Sequence, residues 1–441
     1  MNKRFVFYVI LAAAEVMLLG TTTRGAAVQL EAEMNQSKLL VGGERTAYLK
    51  VCLTGDRVLP SVMRPRVNVS IVIDKSGSMG GNKIEKAKEA AIFAINRLSR
   101  DDILSVIVYD SEPHVLIPAT KLSNKQALIE QIRCLQAGGS TALYGGVQTG
   151  AAEMRKFIEE NRVHRMILLS DGLANVGPRS PEELGRLGGQ LIEEGISVTT
   201  IGIGLGYNED LMSKLAFASD GHHYFAEDAC ELADLFDKEF DCAMSVVAQD
   251  VLVKIQCRGD VRPVRLLGRS GNIDGQLVEV GLNQIFSSRS KYFILEVEVP
   301  ANVRSGRSLD LASVTVEYQN MKTQVRNTLA HSAAVVFVDD KTEAEKSVNK
   351  SVMASVVEQI AVERNELATK LRDEGQIDQA RQILMDNTSY LQSNSQKLGC
   401  PVLAGYAEEN RKDAEAVQDD QQWGHARKAM RESQTARRVQ Q

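Results

Sequence analysis

The sequence predicts an α/β domain with a doubly wound, mostly parallel sheet, inserted in or flanked by an antiparallel β-sandwich and followed by a C-terminal helical hairpin. The α/β domain is indicated by near-continuous apolar runs at 67–73, 103–109, 166–170, 197–203 and 223–225. Segments in which apolar residues recur at helical spacing separate these runs. Apolar strands that alternate with helices form parallel sheets covered on both faces.

Helices are expected between these strands. Ile84, Ala87, Ala91, Ile95 and Leu98 give the first helical face, and the later helical segments lie at 125–135, 143–159, 181–194, 209–218 and 229–247. The α/β domain therefore spans residues 66–248.

The flanking segments show a different pattern. Residues 28–65 and 249–340 alternate apolar and polar side chains, as antiparallel strands with one buried face do. We expect the two segments to form one β-sandwich into which the α/β domain is inserted. The alternative is that they pack separately.

The C-terminal part is predicted to be helical. Residues 341–400 carry two apolar faces separated by Gly375, which indicates a helical hairpin. Residues 401–441 are polar and charged, and we interpret them as a frayed helix or disordered tail whose basic end is solvated.

Composition and the N-terminus limit the function classes. The net charge of −5 gives no indication of binding to nucleic acid or to an anionic membrane. Lys3 and Arg4 precede an apolar run at 5–19, and small and polar residues follow to position 27, in the order of a secretory signal. An uncleaved anchor is the alternative. The mature chain is expected to be exported, to the periplasm, the cell surface or the medium, and to contain no transmembrane span.

Six cysteines are present: Cys52, Cys134, Cys230, Cys242, Cys257 and Cys400. No C-x-x-C pair occurs, so a zinc ribbon or a thioredoxin-like site is not indicated. Six cysteines in an oxidising compartment have fifteen possible pairings, and the sequence does not choose among them. The alternative is that several are buried small apolar residues.

Oxygen-bearing side chains cluster where the predicted strands end. Asp74, Ser76 and Ser78 follow the first strand, Thr141 opens a helix, and Asp171 follows the strand at 166–170. In a doubly wound sheet, loops at the carboxyl ends of the strands converge on the ligand site. Carboxylate and hydroxyl oxygens suit Mg²⁺, with Mn²⁺ and Ca²⁺ as alternatives. Because hydroxyls are neutral, the ion stays under-neutralised and attracts an external carboxylate.

These five residues, in this order and on these elements, resemble the metal-ion-dependent adhesion site of von Willebrand factor A domains. The resemblance covers roughly residues 66–248. It implies that Asp74, Ser76 and Ser78 contact the metal, that Thr141 completes one state of the site, and that Asp171 binds directly or through water. The flanking arrangement resembles exported bacterial proteins loosely labelled calcium-activated chloride channel homologues. The animal family from which that label is taken has a metalloprotease part with an H-E-x-x-H motif. This motif is absent from the sequence, so a metalloprotease is not indicated.

The sequence thus predicts a non-enzymatic module that binds an Asp or Glu of a protein partner through the metal ion. The alternative is a structural scaffold of a cell-envelope complex in which the metal only stabilises the fold. Two other patterns are interpreted as structural: the glycines at 202, 204 and 206 lack dinucleotide-loop spacing, and His222 and His223 point to opposite faces of a strand. An aspartyl nucleophile at Asp74 is disfavoured because serines occupy the neighbouring positions.

Overall fold

The structure is a computed structural model that describes residues 26–58, 64–159, 161–301 and 303–440. Positions 1–25 of the predicted signal segment lie outside the described residues. The first three strands are β1 (Val28–Met34), β2 (Lys38–Leu40) and β3 (Thr46–Gly55).

The α/β domain follows them, and its elements alternate as the apolar pattern predicts. They are β4 (Arg66–Asp74), α1 (Asn82–Arg97), β5 (Ile103–Tyr109), β6 (Pro113–Lys121), α2 (Lys125–Arg133), α3 (Leu143–Arg155), β7 (Arg162–Ser170), α4 (Pro181–Glu193), β8 (Ile196–Ile203), α5 (Glu209–Ala218), β9 (His223–Ala226) and α6 (Leu232–Met244). Short 3₁₀ turns lie at Gly77–Met79 and Ala229–Glu231.

The sheet of this domain has the order β6-β5-β4-β7-β8-β9, and every pair is parallel except β5–β6. Its central strand β4 is buried on both faces. Val69 and Ile71 pack with α1, α2 and α6, whereas Val72 packs with α3, α4 and α5. The doubly wound fold class is therefore confirmed. The chain leaves β4 to one side through β5 and to the other through β7, so the topological switch point lies between β4 and β7.

A second antiparallel β region follows the α/β domain. Its strands are β10 (Val246–Cys257), β11 (Arg262–Leu267), β12 (Asn272–Asp274), β13 (Leu277–Phe286), β14 (Ser290–Glu298), β15 (Ser308–Asn320) and β16 (Arg326–Val338). The predicted helix at 229–247 ends earlier, at Met244, because Val246 and Val247 already belong to β10.

Strands from before and after the α/β domain share two sheets. One sheet has the order β1-β3-β14-β11 and the other the order β12-β13-β10-β15-β16-β2. One apolar core joins them: Leu49, Val51 and Leu53 of β3 pack in the same cluster as Val253 and Ile255 of β10. The α/β domain is therefore inserted between the two halves of one sandwich.

A buried ionic cluster joins the inserted domain to the sandwich. Asp220, two residues after the end of α5, pairs with Arg269 at 2.5 Å and with Lys291 of β14 at 2.8 Å. Asp220 also accepts a hydrogen bond from the backbone N–H of Asn283 at 2.8 Å. The side chains of all three charged residues are almost fully buried. This cluster fixes one end of the α/β domain against the sandwich.

The C-terminal part is larger than the predicted hairpin. Its helices are α7 (Lys341–Lys346), α8 (Lys350–Asp373), α9 (Ile377–Leu398), α10 (Pro401–Ala416) and α11 (Asp420–Val439). The prediction of a frayed or disordered tail at 401–441 was wrong, because α10 and α11 pack on α8 and α9 and bury Leu403, Tyr406 and Met430. None of the helices in the described ranges combines the length and apolarity needed to cross a membrane.

The basic residues of α11, in the segment that the sequence predicted to be a tail, form ion pairs with the rest of the protein. Arg427 and Arg431 of α11 pair with Asp210 of α5, and Lys428 donates to Glu209 at 2.6 Å. Lys428 also donates to the backbone carbonyl of Tyr207 at 2.9 Å. The last helix therefore attaches the helical bundle to the α/β domain. These charges are not a solvated basic end.

Candidate metal site at the carboxyl edge of the parallel sheet

Asp74 is the last residue of β4 and is fully buried. Its Oδ1 accepts a hydrogen bond from the backbone N–H of Ser76 at 2.8 Å, and its Oδ2 accepts one from the hydroxyl of Ser170 at 2.7 Å. Burial raises the pKa of Asp74, and these hydrogen bonds act in the opposite direction. In the described part of the chain, no lysine or arginine pairs with this carboxylate. A bound cation would supply the missing positive charge.

Ser76 and Ser78 lie on the turn that follows Asp74. Their hydroxyl oxygens are 3.1 Å apart, and the hydroxyl of Ser78 donates to Oδ1 of Asp171 at 2.7 Å. Asp171 follows the end of β7 and is buried. The loops that follow β4 and β7, on either side of the switch point, are thus joined by a direct hydrogen bond.

Thr141 approaches the same place from the loop before α3. Its backbone N–H donates to Oδ1 of Asn175 at 2.8 Å, and its carbonyl accepts the N–H of Asn175 at 3.1 Å. Its hydroxyl makes no hydrogen bond within the described ranges. The two hydrogen bonds with Asn175 thus hold the backbone of Thr141 in place, and the hydroxyl of this buried residue remains available to a ligand.

Gly172 shows that the three hydroxyls converge. A Cβ atom at this glycine would lie 3.3 Å from the Ser78 hydroxyl, 3.4 Å from the Thr141 hydroxyl and 3.9 Å from the Ser76 hydroxyl. One point beside the backbone of residue 172 is therefore within 4 Å of all three oxygens. A larger residue at this position would fill the space between them.

Lys83 is a site residue that the sequence analysis missed. Its ammonium lies 2.5 Å from Oδ2 of Asp171, and its side chain is about one-third exposed. Lys83 stands on the first turn of α1, nine residues after Asp74. No spacing rule connects it to Asp171 on the far loop, so the sequence offers no signal for this ion pair.

The loops around the site are fixed by backbone hydrogen bonds. The N–H of Gly77 donates to the carbonyl of Gly139 at 3.1 Å, and the N–H of Gly138 donates to the carbonyl of Lys75 at 2.7 Å. Gly139 has a φ of 86°, and a Cβ there would lie 2.9 Å from the Cβ of Asp110. This position therefore requires glycine, and the loop that carries Thr141 is held against the loop that carries Ser76.

The donor set fits a hard divalent cation. Two buried carboxylates and three hydroxyls are oxygen donors, which suit Mg²⁺, Mn²⁺ or Ca²⁺ better than softer metals. Nowhere in the described residues do three or more His, Cys, Asp or Glu side chains cluster as metal ligands do. A site here would therefore depend on the serine and threonine hydroxyls as well as on Asp74 and Asp171.

The glycine-rich segment at 202–206 has a steric role. A Cβ at Gly202 would overlap the ring of Tyr207 at 2.1 Å, and a Cβ at Gly206 would lie 2.7 Å from the carbonyl oxygen of Asp171. Gly206 therefore allows the loop after β8 to pack closely on the loop after β7, and Gly202 leaves room for the ring of Tyr207.

The histidine pair is also part of the buried framework. His222 lies 2.5 Å from Glu239, whereas His223 contacts the hydroxyl of Thr200 at 2.9 Å on the opposite side of the strand. Burial lowers the pKa of His223 to about 4. The two imidazoles do not face a common point.

All six cysteines lie within the described residues and are free thiols. Cys242 and Cys257 are buried among apolar side chains. Burial raises the pKa of Cys257 to about 11, which makes its thiol unreactive at neutral pH.

Comparisons with known proteins indicate which family and fold this chain resembles. The model of the von Willebrand factor type A domain family matches residues 68–238. The chain is 25% identical over 328 residues to the uncharacterized protein sll0103 from Synechocystis, which covers 72% of this chain and 75% of that protein. It is 29% identical over 163 residues to inter-alpha-trypsin inhibitor heavy chain H3 from Pongo abelii, which covers 35% of this chain but only 18% of the heavy chain.

A solved structure shares the fold over most of the chain. The von Willebrand factor type A protein from Catenulispora acidiphila superimposes with a TM-score of 0.73 at 18% identity, over 90% of this chain and 92% of that chain. Domains of this family are generally protein-interaction modules, and they commonly bind a divalent metal at an adhesion site. Residues 68–238 of this chain therefore match the von Willebrand factor type A domain family, and the fold of the chain agrees with that match.

Proposed function

We propose that the protein is an exported interaction module that binds a divalent cation, with Mg²⁺ as the first candidate, through Asp74, Ser76, Ser78, Thr141 and Asp171. The carboxylate of an Asp or Glu on a protein partner supplies a further ligand. The observation that carries this proposal is the convergence of three hydroxyls on the space beside Gly172. The buried carboxylates of Asp74 and Asp171 accept hydrogen bonds from Ser76 and Ser78 of the same site.

The charge balance supports an acidic partner. A bound dication would face the negative charges of Asp74 and Asp171, while Lys83 already neutralises part of the latter. These charges together leave about one positive charge at a largely buried site, where electrostatic attraction is stronger than in bulk water. A single carboxylate from outside neutralises it. No acid–base pair or nucleophile at this site points to a catalysed reaction.

The test is a pull-down from native envelope and secreted fractions, in Mg²⁺ and in EDTA, with wild type and the Asp74→Ala variant. Asp110→Asn is the matched control, because Asp110 lies on a neighbouring loop and pairs with Lys75 outside the donor set. The proposal predicts a partner retained by wild type and Asp110→Asn in Mg²⁺ only. A partner retained equally in EDTA or by Asp74→Ala would favour a scaffold in which the metal has no part in recognition.

A further inference from the structure

We propose that the partner presents its carboxylate between large apolar side chains, which contact three exposed residues beside the metal site: Leu173, Val176 and Leu205. We call these three residues the apolar rim. The inference rests on the proposed function and specifies the chemistry of the partner.

Two rim residues lie on the loop that follows β7. Leu173 comes directly after Gly172, the residue on which the three hydroxyls converge, and its exposed fraction is 61%. Val176 is 37% exposed, and its backbone N–H donates to the carbonyl of Thr141 at 3.3 Å. The backbone of Leu173 is therefore adjacent to the Gly172 space, and the backbone of Val176 is hydrogen-bonded to the proposed metal ligand Thr141.

The third rim residue lies on the loop that follows β8. Leu205 is 60% exposed, and the next residue, Gly206, packs so closely that a Cβ there would lie 2.7 Å from the carbonyl oxygen of Asp171. The two loops thus meet where Gly206 packs on Asp171. Leu173 follows Asp171 by two residues, and Leu205 directly precedes Gly206.

Folding of the domain does not explain these side chains. None of the three belongs to the buried apolar clusters on either face of the sheet, whereas their neighbour Ala174 does. A single exposed leucine is ordinary on a protein surface, but a group of exposed apolar residues around a polar site indicates a binding surface.

The charge pattern selects the occupant. The centre of the surface would carry about one net positive charge with the metal bound, and Leu173, Val176 and Leu205 expose aliphatic side chains on the loops beside it. Apolar groups that exclude water around a central polar contact strengthen that contact, as in the centre of protein interfaces. The complementary partner is a protein segment with one Asp or Glu flanked by leucine, isoleucine, valine or phenylalanine.

The first experiment uses a phage-displayed library of random twelve-residue peptides, selected on the full chain in Mg²⁺ and eluted with EDTA. The expected consensus is an acidic residue with large apolar residues at adjacent positions. A consensus with an acidic residue but polar or random neighbours would overturn the role of the rim and leave the proposed function intact. Recovery of only metal-independent peptides, or of none, would contradict the proposed function itself.

The second experiment measures the affinity of the selected peptide for a Leu173→Ser, Leu205→Ser double variant. Because both side chains are mostly exposed, the double variant is expected to fold and to bind Mg²⁺ as wild type does, and to lose about tenfold or more in peptide affinity. Val402→Ser is the matched control, since Val402 is 63% exposed on α10 in the helical bundle. Unchanged affinity in the double variant would refute the rim as a contact surface.

A second copy of the chain is the competing occupant. Sedimentation of wild type and the double variant in Mg²⁺ distinguishes it from a separate partner. The proposal predicts no rim-dependent self-association. Self-association that the double variant abolishes would assign the rim to contacts between copies and would overturn the proposal of a separate partner.

Discussion

The ammonium of Lys83 lies 2.5 Å from Oδ2 of Asp171, on the carboxylate whose other oxygen accepts the hydroxyl of Ser78. One of the two carboxylates at the proposed metal site is therefore already paired with a cation of the protein itself. This pair lowers the negative charge that a metal ion meets. It also retains positive charge for an acidic partner.

Replacement of Lys83 separates these two effects. In Lys83→Met, loss of the positive charge should tighten Mg²⁺ binding by roughly 1 kcal/mol, which is about fivefold, and should weaken binding of an acidic partner. Isothermal titration calorimetry with Mg²⁺ measures the first effect. Lys86→Met is the control, because Lys86 lies on the same helix and pairs with Glu89 away from the site. Weaker Mg²⁺ binding in Lys83→Met would contradict the assignment of Lys83 as a competing charge.

Asp220 is expected to be a main support of the junction between the inserted domain and the sandwich. Asp220→Asn leaves Arg269 and Lys291 buried without a counter-charge, which should lower the free energy of unfolding by about 3 kcal/mol. Urea denaturation at pH 7 measures the loss. Asp250→Asn, which breaks an exposed pair with Arg326, should change stability by less than about 1 kcal/mol. Equal effects of the two substitutions would contradict this role for Asp220.

The same cluster gives stability a pH dependence. Burial opposes ionisation of Asp220, but Arg269 and Lys291 outweigh it and hold the pKa of Asp220 below its ordinary value of 3.8. Because the folded-state pKa is the lower one, the stabilisation is complete above pH 3.8 and is lost as the pH falls further. The stability difference between wild type and Asp220→Asn should therefore shrink on acidification. A difference that stays constant down to pH 2 would disprove this linkage.

Asp413 in the helical bundle should behave in the opposite way. Burial raises its pKa to about 7, although Asn365 donates a hydrogen bond to its carboxylate at 3.0 Å. Since the folded-state pKa is the higher one, its ionisation costs stability as the pH rises from about 4 to above 7. Asp413→Asn should therefore stabilise the protein at pH 8 by roughly 1–2 kcal/mol and have little effect at pH 4.

Chemical denaturation at the two pH values measures this effect. Asp386→Asn on α9 is the control, because Asp386 is exposed and belongs to the same bundle. Destabilisation of Asp413→Asn at pH 8 would show that the ionised carboxylate supports the bundle and would contradict the raised pKa.

The sequence predicts the elements whose patterns are local. The runs that became β4 and β7 are apolar on both faces, so their strand character and their central place in the sheet are readable. β6 was missed because it is an edge strand with only Ile117 fully buried and with an irregular register against β5. Edge strands lack the apolar alternation on which such predictions depend.

The C-terminal helices were missed for a different reason. α10 and α11 bury few large apolar side chains. Their charged side chains form ion pairs with residues that are distant in the sequence, such as those of Arg427 with Asp373 and Glu209. A polar helix held by tertiary ion pairs has the composition of a solvated tail. The role of Lys83 at the site was not predicted for the same reason, since its partner Asp171 is 88 residues away in the sequence.

Magnesium titration of the full chain by calorimetry tests the central proposal most directly. The account predicts one binding site in wild type and in Asp110→Asn. Asp74→Ala should lose affinity by about a hundredfold or more, because even changes outside the ligand set cost about tenfold to a hundredfold. Equal Mg²⁺ binding by Asp74→Ala and wild type, or no binding by wild type, would contradict a metal site at Asp74.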